Sequence, residues 1–238
     1  MSDNNHIGYV GSYPIFGVPA SINAFALGAQ LTNPRAKIEL HWSCQGGYPV
    51  EEFVKKGIHV ISNRDVPISD KKYLSAGNYG TYIVEEDGTL CALASPCWNW
   101  GKFYEHVIRA ILNGAWDRSK DAHSAVNYWW GMDSGVIDVT LSEKLPEGLR
   151  QLTDILRKGL QTRKIDPFRR KIVAQDGSIK NAGDRSLTTD ELLHMDWLCD
   201  NIIGSIPQFD EILPFAQDTV RELGVYRDSI PPEKEGTL

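Results

Sequence analysis

The sequence predicts an α/β fold in which a mostly parallel sheet is flanked by helices. Short apolar runs that suit buried strands alternate along the chain with helical patterns. Loops rich in Gly and Pro separate these segments. The order strand, helix, strand, helix, strand recurs from Ile7 to Ser62, and such a βαβαβ series requires parallel strands with right-handed crossovers.

The first strand and helix surround the most distinctive loop of the chain. Ile7–Val10 is a short apolar run typical of a buried strand, and Gly11–Pro19 interrupts regular structure. Beyond the loop, apolar residues lie at i, i+3, i+4 and i+7, on one face of a helix: Ile22, Phe25, Ala26 and Ala29. In open α/β sheets ligands bind where strands lead into helices, so the loop Ser12–Gly17 is the first candidate for a binding surface.

The next segments repeat this pattern. Ile38–Trp42 alternates apolar and polar residues as a half-buried strand does. The remaining predicted elements are a helix over Pro49–Lys56, a strand over Ile58–Ser62, a hairpin of Thr81–Val84 and Leu90–Ala94, a helix over Lys102–Asn113, strands at Tyr128–Trp130 and Val136–Leu141, a helix over Leu145–Leu160, a capping box at Thr188 and Glu191, and a helical piece within Ile206–Leu223 that is broken near Pro207 or Pro214.

Composition excludes several classes of protein. The 238 residues suffice for one good-sized domain or two small ones. The net charge of -6 argues against a general nucleic-acid or membrane-surface binder, since phosphates require clustered Lys and Arg. No apolar run reaches the roughly 18 residues needed to cross a membrane, and no signal peptide is evident. The four cysteines form no CxxC pair, so neither a metal site nor a disulfide framework is expected.

Two chemical motifs are weak. Gly8, Gly11 and Gly17 surround a strand-to-helix turn, but their spacing is not that of a dinucleotide fingerprint, so no cofactor is predicted. Cys44, with His41 and Asp65 near neighbouring strand ends, suggests an enzyme nucleophile, although nothing fixes a base against the thiol. An α/β enzyme that uses Asp65 or Cys44 is therefore kept as an alternative.

Rings, amides and one carboxylate gather where the predicted strands end. Aromatic rings stack on planar ligands, and a carboxylate accepts two hydroxyl hydrogen bonds from a sugar. The alternative for each ring is packing in the core. The candidate ligand-binding residues are Tyr13, Phe16, Trp42, Ser43, Asn63, Asp65, Trp98 and Asn99, with no catalytic residue among them.

Three segments resemble a known family. They are IGYVGSYPIFGVPASINAFALGAQLTNPRAKI, then GIHVIS with the polar loop ending in Asp65, and WNWGKFYEHVIRAILNGAW. Over about residues 7–145 the chain resembles the second lobe of the basic membrane protein family, the purine-nucleoside-receptor-like solute-binding proteins of ABC transporters. The stretch SLTTDELLHMDWLCDNIIGSIPQFDEI resembles an extended end seen in a subgroup of such proteins.

The resemblance implies a fold, a ligand and partners. It implies a type I periplasmic-binding-protein-like lobe with a C-terminal helical extension, in a non-enzymatic lipoprotein family that is extracytoplasmic and acts with an ABC permease. It implies a nucleoside or related small polar ligand whose base stacks on rings. It further implies that Tyr13–Phe16 faces this ligand, that Trp42 and Ser43 lie in the cleft, and that Asp65 holds the sugar.

Departures from the family shape the remaining expectations. The first lobe would have to precede Ile7, so weak ligand binding is expected unless a homodimer supplies the second wall. The missing signal peptide favours an alternative, a cytoplasmic metabolite-sensing domain of the same fold. The expected division is a disordered or extraneous start at 1–6, an α/β ligand-binding lobe at 7–145, and a crossover helix with a C-terminal extension packing on the lobe at 146–238.

Overall fold

A computed structural model describes residue 2 and residues 4–63, 80–114 and 129–226. The strands are β1 (His6–Gly11), β2 (Lys37–Trp42), β3 (Val60–Ser62), β4 (Thr81–Val84), β5 (Leu90–Trp98), β6 (Ile137–Leu141), β7 (Lys171–Val173), β8 (Ile179–Ala182) and β9 (Ile202–Ile203). The helices are α1 (Val18–Thr32), α2 (Pro49–Lys55), α3 (Trp100–Leu112), α4 (Glu147–Gln161), α5 (Thr189–Leu193) and α6 (Pro214–Leu223).

The chain divides into two compact units. The first unit combines Met1–Ala92 with Pro167–Leu238, and the second unit is Leu93–Asp166. The boundary falls within β5, so this strand begins in one unit and ends in the other. The domain bounds expected from the sequence stay a prediction.

The first unit has a mostly parallel sheet in the order β4-β3-β1-β2-β9. β1 pairs in parallel with β2 and with β3, and β2 pairs in parallel with β9. Only the pairing of β3 with β4 is antiparallel in this part of the sheet. The α/β class predicted from the sequence is therefore confirmed.

Both faces of this sheet are covered. Tyr9 packs in a cluster with Ile22 of α1, while its neighbour Val10 packs with Phe53 of α2. Adjacent residues of a strand point to opposite faces, so α1 and α2 lie on opposite sides of β1. Gly8 permits the close approach of α2, because a Cβ atom there would meet the ring of Phe53.

We call residues 167–226 the C-terminal region. This region is built into the core of the first unit. Asn23 of α1 is fully buried; its side-chain amide donates to the Trp197 carbonyl at 2.8 Å and its Oδ1 accepts from the Cys199 amide at 2.8 Å. The buried Asn201 side chain donates to the carbonyls of Ala26 and Ala36. The region contains the β7-β8 hairpin and β9 as well as the predicted helical turns.

The second unit pairs the end of β5 with β6 in antiparallel register, from Ala94 opposite Leu141 to Trp98 opposite Ile137. No side chain of α3 is buried. Five large apolar side chains of this helix are exposed: Trp100, Tyr104, Ile108, Ile111 and Leu112. Single exposed apolar residues are ordinary, but a contiguous stripe of them is typical of a surface that contacts other protein.

One local expectation fails and another is confirmed. Residues 129–130 lie outside regular structure, so the strand predicted there is wrong, and Tyr128 falls outside the described residues. The helical piece expected within Ile206–Leu223 is broken at Pro214 as predicted: a 3₁₀ turn at Phe209–Glu211 precedes α6, which begins at Pro214. No described helix has both the length and the apolar character needed to cross a membrane.

Candidate functional site

Three neighbouring parallel strands end side by side at one edge of the first unit's sheet. Gly11 of β1 lies opposite Trp42 of β2, and Tyr9 lies opposite Ser62 of β3. The loop after β1 leads to α1 on one face, and the loop after β2 leads to α2 on the other. In open α/β sheets the crevice between loops that diverge in this way is where ligands bind. We call this place the carboxyl edge.

The loop after β1, residues 12–17, is held in a defined shape. Gly17 adopts φ 80°, the left-handed conformation that glycine tolerates, and directly precedes α1. The Ile15 amide donates to the Tyr13 carbonyl at 2.8 Å, which turns the chain sharply. The amides of Phe16 and Gly17 donate to the carbonyls of Leu223 and Leu193. The C-terminal region therefore supplies hydrogen-bond partners to this loop.

The two rings predicted in this loop lie against rings of the C-terminal region. Tyr13 makes an edge contact with Phe215 at 6.4 Å between centroids. Phe16 makes a similar contact with His194 at 5.0 Å. Both residues are partly exposed.

The predicted residues at the end of β2 differ in exposure. Trp42 is 1% exposed, and its Nε1 donates to the Ser205 carbonyl at 2.8 Å. The ring therefore packs in the core beneath the carboxyl edge. Ser43 is partly exposed, and its hydroxyl donates to the Ser12 carbonyl at 3.3 Å, which joins the loops after β1 and β2.

Asn63 lies directly after β3 and is 1% exposed. Its side-chain nitrogen donates to the Tyr82 hydroxyl at 3.0 Å. Its Oδ1 is buried and has no hydrogen-bond partner among the described residues. A buried amide oxygen without a partner costs about 1 to 3 kcal/mol, so a donor that completes this amide would be held favourably.

The remaining predicted residues are Asp65, Trp98 and Asn99. Asp65 lies outside the described residues. Trp98 and Asn99 belong to the second unit, where Trp98 is exposed and the Asn99 side chain accepts from the Lys102 amide at the start of α3. Their roles toward a ligand stay a prediction.

Cys44, the candidate nucleophile, is fully buried. Burial raises the pKa of its thiol to about 12, so the thiolate is scarce at neutral pH. His41 Nε2 lies 2.9 Å from the Gly46 carbonyl, and its Nδ1 lies 3.8 Å from a Glu52 carboxylate oxygen. This environment is that of an inert structural cysteine. Among the described residues, no group of three or more His, Cys, Asp and Glu side chains is placed to hold a metal ion.

Sequence patterns missed the contributions of the C-terminal region to the carboxyl edge. Phe215, His194 and Leu223 contact the loop after β1 from positions far along the chain. Tyr82 is the hydrogen-bond partner of Asn63. The sequence places it in a strand and predicts no functional role for it. The capping box of Thr188 and Glu191 was the one local signal, and it marks the start of α5, which His194 directly follows.

No protein-family model matches the chain. It is 24% identical over 221 residues to a purine-binding protein of Brucella abortus, an alignment that covers 87% of this chain and 60% of that protein. It is 31% identical over 146 residues to a protein of Haloferax volcanii that is named as an ABC transporter glucose-binding protein, covering 57% of this chain and 36% of that protein. The chain thus spans less than two thirds of the length of these relatives. The predicted resemblance to solute-binding proteins of ABC transporters is confirmed.

Proposed function

We propose that this chain is a ligand-binding lobe of an ABC-transporter-type solute-binding protein, and that its ligand is a nucleoside or a related small polar molecule. The observation that carries the proposal is the carboxyl edge, where the ring-bearing loop after β1 lies beside the polar ends of β2 and β3. The similarity to proteins named as purine-binding and glucose-binding supports the same function.

Each group at the edge has a stated task in this proposal. Tyr13 and Phe16, both partly exposed residues, stack their rings on a base. Asn63 Oδ1 accepts a hydrogen bond from the ligand or from a bound water, which completes its amide. The Asp65 carboxylate accepts hydrogen bonds from two hydroxyl groups of a sugar. Trp42, buried below, shapes the floor of the site.

We further propose that the second wall of the site comes from additional protein, in the manner of a first lobe. A single wall leaves much of a small ligand in water, whereas binding pockets normally bury 70 to 90% of it. Trp98 and Asn99 would then belong to the joint between lobes. The apolar stripe of α3 suits contact with such a lobe. Closure of two lobes on the ligand is the state that an ABC permease would recognise.

The two rival functions are less well supported. An enzyme that uses Cys44 needs a thiolate, and burial of this thiol opposes its ionisation. A cytoplasmic metabolite sensor would use the same edge and the same ligand chemistry, so it differs in compartment rather than in mechanism. We propose an extracytoplasmic location; finding the protein in the cytosolic fraction of its cells would favour the sensor.

A thermal-shift screen with adenosine, guanosine, adenine and glucose tests the proposal. A ligand at 100 times its dissociation constant stabilises the folded state by about 2.7 kcal/mol, which raises the melting temperature of a domain of this size by about 5 to 10 °C. Millimolar ligand is appropriate because one open wall binds weakly. A shift with glucose alone would replace the nucleoside by a sugar, and no shift with any of the four would refute binding by this chain.

Two variants locate the site. Asp65→Ala and Asn63→Ala should each reduce the shift by at least half, because both remove a polar contact to the ligand. Asp87→Ala is the matched control, since Asp87 lies in an exposed turn and accepts from the Thr89 amide. If Asp65→Ala retains the full shift, the assignment of this carboxylate fails.

A further inference from the structure

The segment Leu213–Tyr226 crosses the loop after β1. It consists of α6, the residue before it and the three residues after it. We call this segment the C-terminal strap. The Leu223 carbonyl accepts from the Phe16 amide at 3.0 Å, and the Val225 amide donates to the Pro14 carbonyl at 3.0 Å. Ile15 and Gly224 thus form an isolated antiparallel bridge. The strap is bonded to the backbone of the loop whose rings are the candidate ligand contacts.

The strap also holds the loop after β2. The Leu213 amide donates to the Cys44 carbonyl at 2.9 Å. Phe215 lies at the edge of the Tyr13 ring. One continuous segment therefore contacts both loops that border the crevice of the carboxyl edge.

The strap is itself firmly placed. Ala216 and Val220 are fully buried in the cluster that contains Tyr9 and Trp42. The Tyr226 hydroxyl donates to the Pro207 carbonyl at 2.8 Å. The Gly224 amide donates to the Val220 carbonyl at 2.8 Å, and a Cβ atom at Gly224 would collide with that carbonyl oxygen. Only glycine allows the chain to leave α6 along this path.

The loop depends on these contacts for its backbone hydrogen bonds. The Ile15 amide is bonded within the loop, the Phe16 amide is bonded to Leu223 of the strap, and the Gly17 amide is bonded to Leu193 of α5. Buried backbone donors require partners, so loss of the strap would leave the loop free to adopt other shapes. A loop that must order when a ligand arrives binds more weakly than one already in place.

We propose that the C-terminal strap is a positioning element of the ligand site: it fixes the loop after β1 in the shape that presents Tyr13 and Phe16. The affinity of the chain for its ligand then depends on residues that do not touch the ligand. The inference rests on the proposed function for its ligand, although the effect on the loop can be measured without one.

The test uses three variants of the strap. Val225→Pro removes the donor to Pro14, and Gly224 already has φ -62° and ψ 147°, the conformation that a residue before proline prefers. Val225→Ala keeps the donor and is the matched control. Tyr226→Phe removes a strap hydrogen bond of similar length that anchors to Pro207 and not to the loop.

Amide hydrogen exchange, followed by NMR, measures how well the loop after β1 is ordered. Calorimetric titration with adenosine measures the affinity of the ligand site. Val225→Pro should speed exchange of the Phe16 amide by about fivefold or more and weaken adenosine binding by a similar factor, as expected for the net loss of one hydrogen bond. Val225→Ala and Tyr226→Phe should change both by less than about twofold.

The outcomes are distinct. If the exchange rate of the Phe16 amide is unchanged in Val225→Pro, the proposal that the strap holds the loop is refuted, whatever the titration shows. Faster exchange with unchanged adenosine affinity overturns its positioning role. If Tyr226→Phe weakens adenosine binding as much as Val225→Pro does, the effect comes from general stability, and the positioning role is refuted as well. If the parent chain binds none of the screened ligands, the proposed function fails, and the exchange rates still decide whether the strap holds the loop.

Discussion

Replacing Asn23 by Ala should unfold the first unit at markedly lower denaturant concentration. The change removes the partner of the Trp197 carbonyl and the partner of the Cys199 amide. Each buried or partly buried group left without a partner costs about 1 to 3 kcal/mol. One of these two bonds is only partly buried, so we expect a total loss of about 2 to 4 kcal/mol.

A urea titration followed by far-UV circular dichroism and tryptophan fluorescence measures this loss. With a slope of about 2 to 3 kcal/mol per molar urea, the midpoint should fall by about 1 M. Thr32→Ala is the matched control on the same helix, because Thr32 is exposed and its hydroxyl donates to the Ala29 carbonyl. It should change stability by about 0.5 kcal/mol or less. A midpoint for Asn23→Ala within the range of the control would show that α1 and the C-terminal region are not joined as described.

Three further predictions concern ionisable groups. In native protein at pH 8, a disulfide reagent should react rapidly only with Cys97, which is the one cysteine that is not buried; rapid reaction of two or more thiols would contradict the described burial. The pKa values of Cys44 and Cys199 are raised by burial to about 12 from 9.0, so the unfolded chain loses these protons first, and the free energy of unfolding should fall as the pH rises from 9 toward 12. Cys44→Ala should lessen that slope, and a slope identical to that of the parent protein would refute the assignment. The Glu191 carboxyl should titrate near pH 2 by NMR, because Arg185 holds its pKa down, and Arg185→Gln should return it toward 4.5; an unshifted pKa in the parent would exclude this ion pair in solution.

The regular part of the fold was predictable because its signals are local. Alternation in Ile38–Trp42 and the helical spacing after Pro19 each reflect one face of one element packing inward. β9 has only two residues, Ile202 and Ile203, and so has no period to detect; its place beside β2 follows from packing across the chain.

The candidate site was predictable only in outline. Loops at strand ends follow from the strand order, and Tyr13, Ser43 and Asn63 lie at the carboxyl edge. The burial of Trp42 did not follow, because a tryptophan at the end of a strand fits equally a stacking ring and a core residue. Its indole nitrogen is satisfied by the Ser205 carbonyl, a partner that no local pattern reveals.

The first unit combines two segments that lie far apart in the sequence, and this affects how the protein is made. During synthesis β1 and β2 leave the ribosome well before β9, which covers the outer side of β2, and before α6, which completes its core. Until then, Ile38 and the open backbone of β2 resemble an unprotected sheet edge, the kind of surface on which nascent chains aggregate. Production of this protein is therefore expected to depend on chaperones that shield that edge, and a transcript cut short before β9 should yield insoluble material.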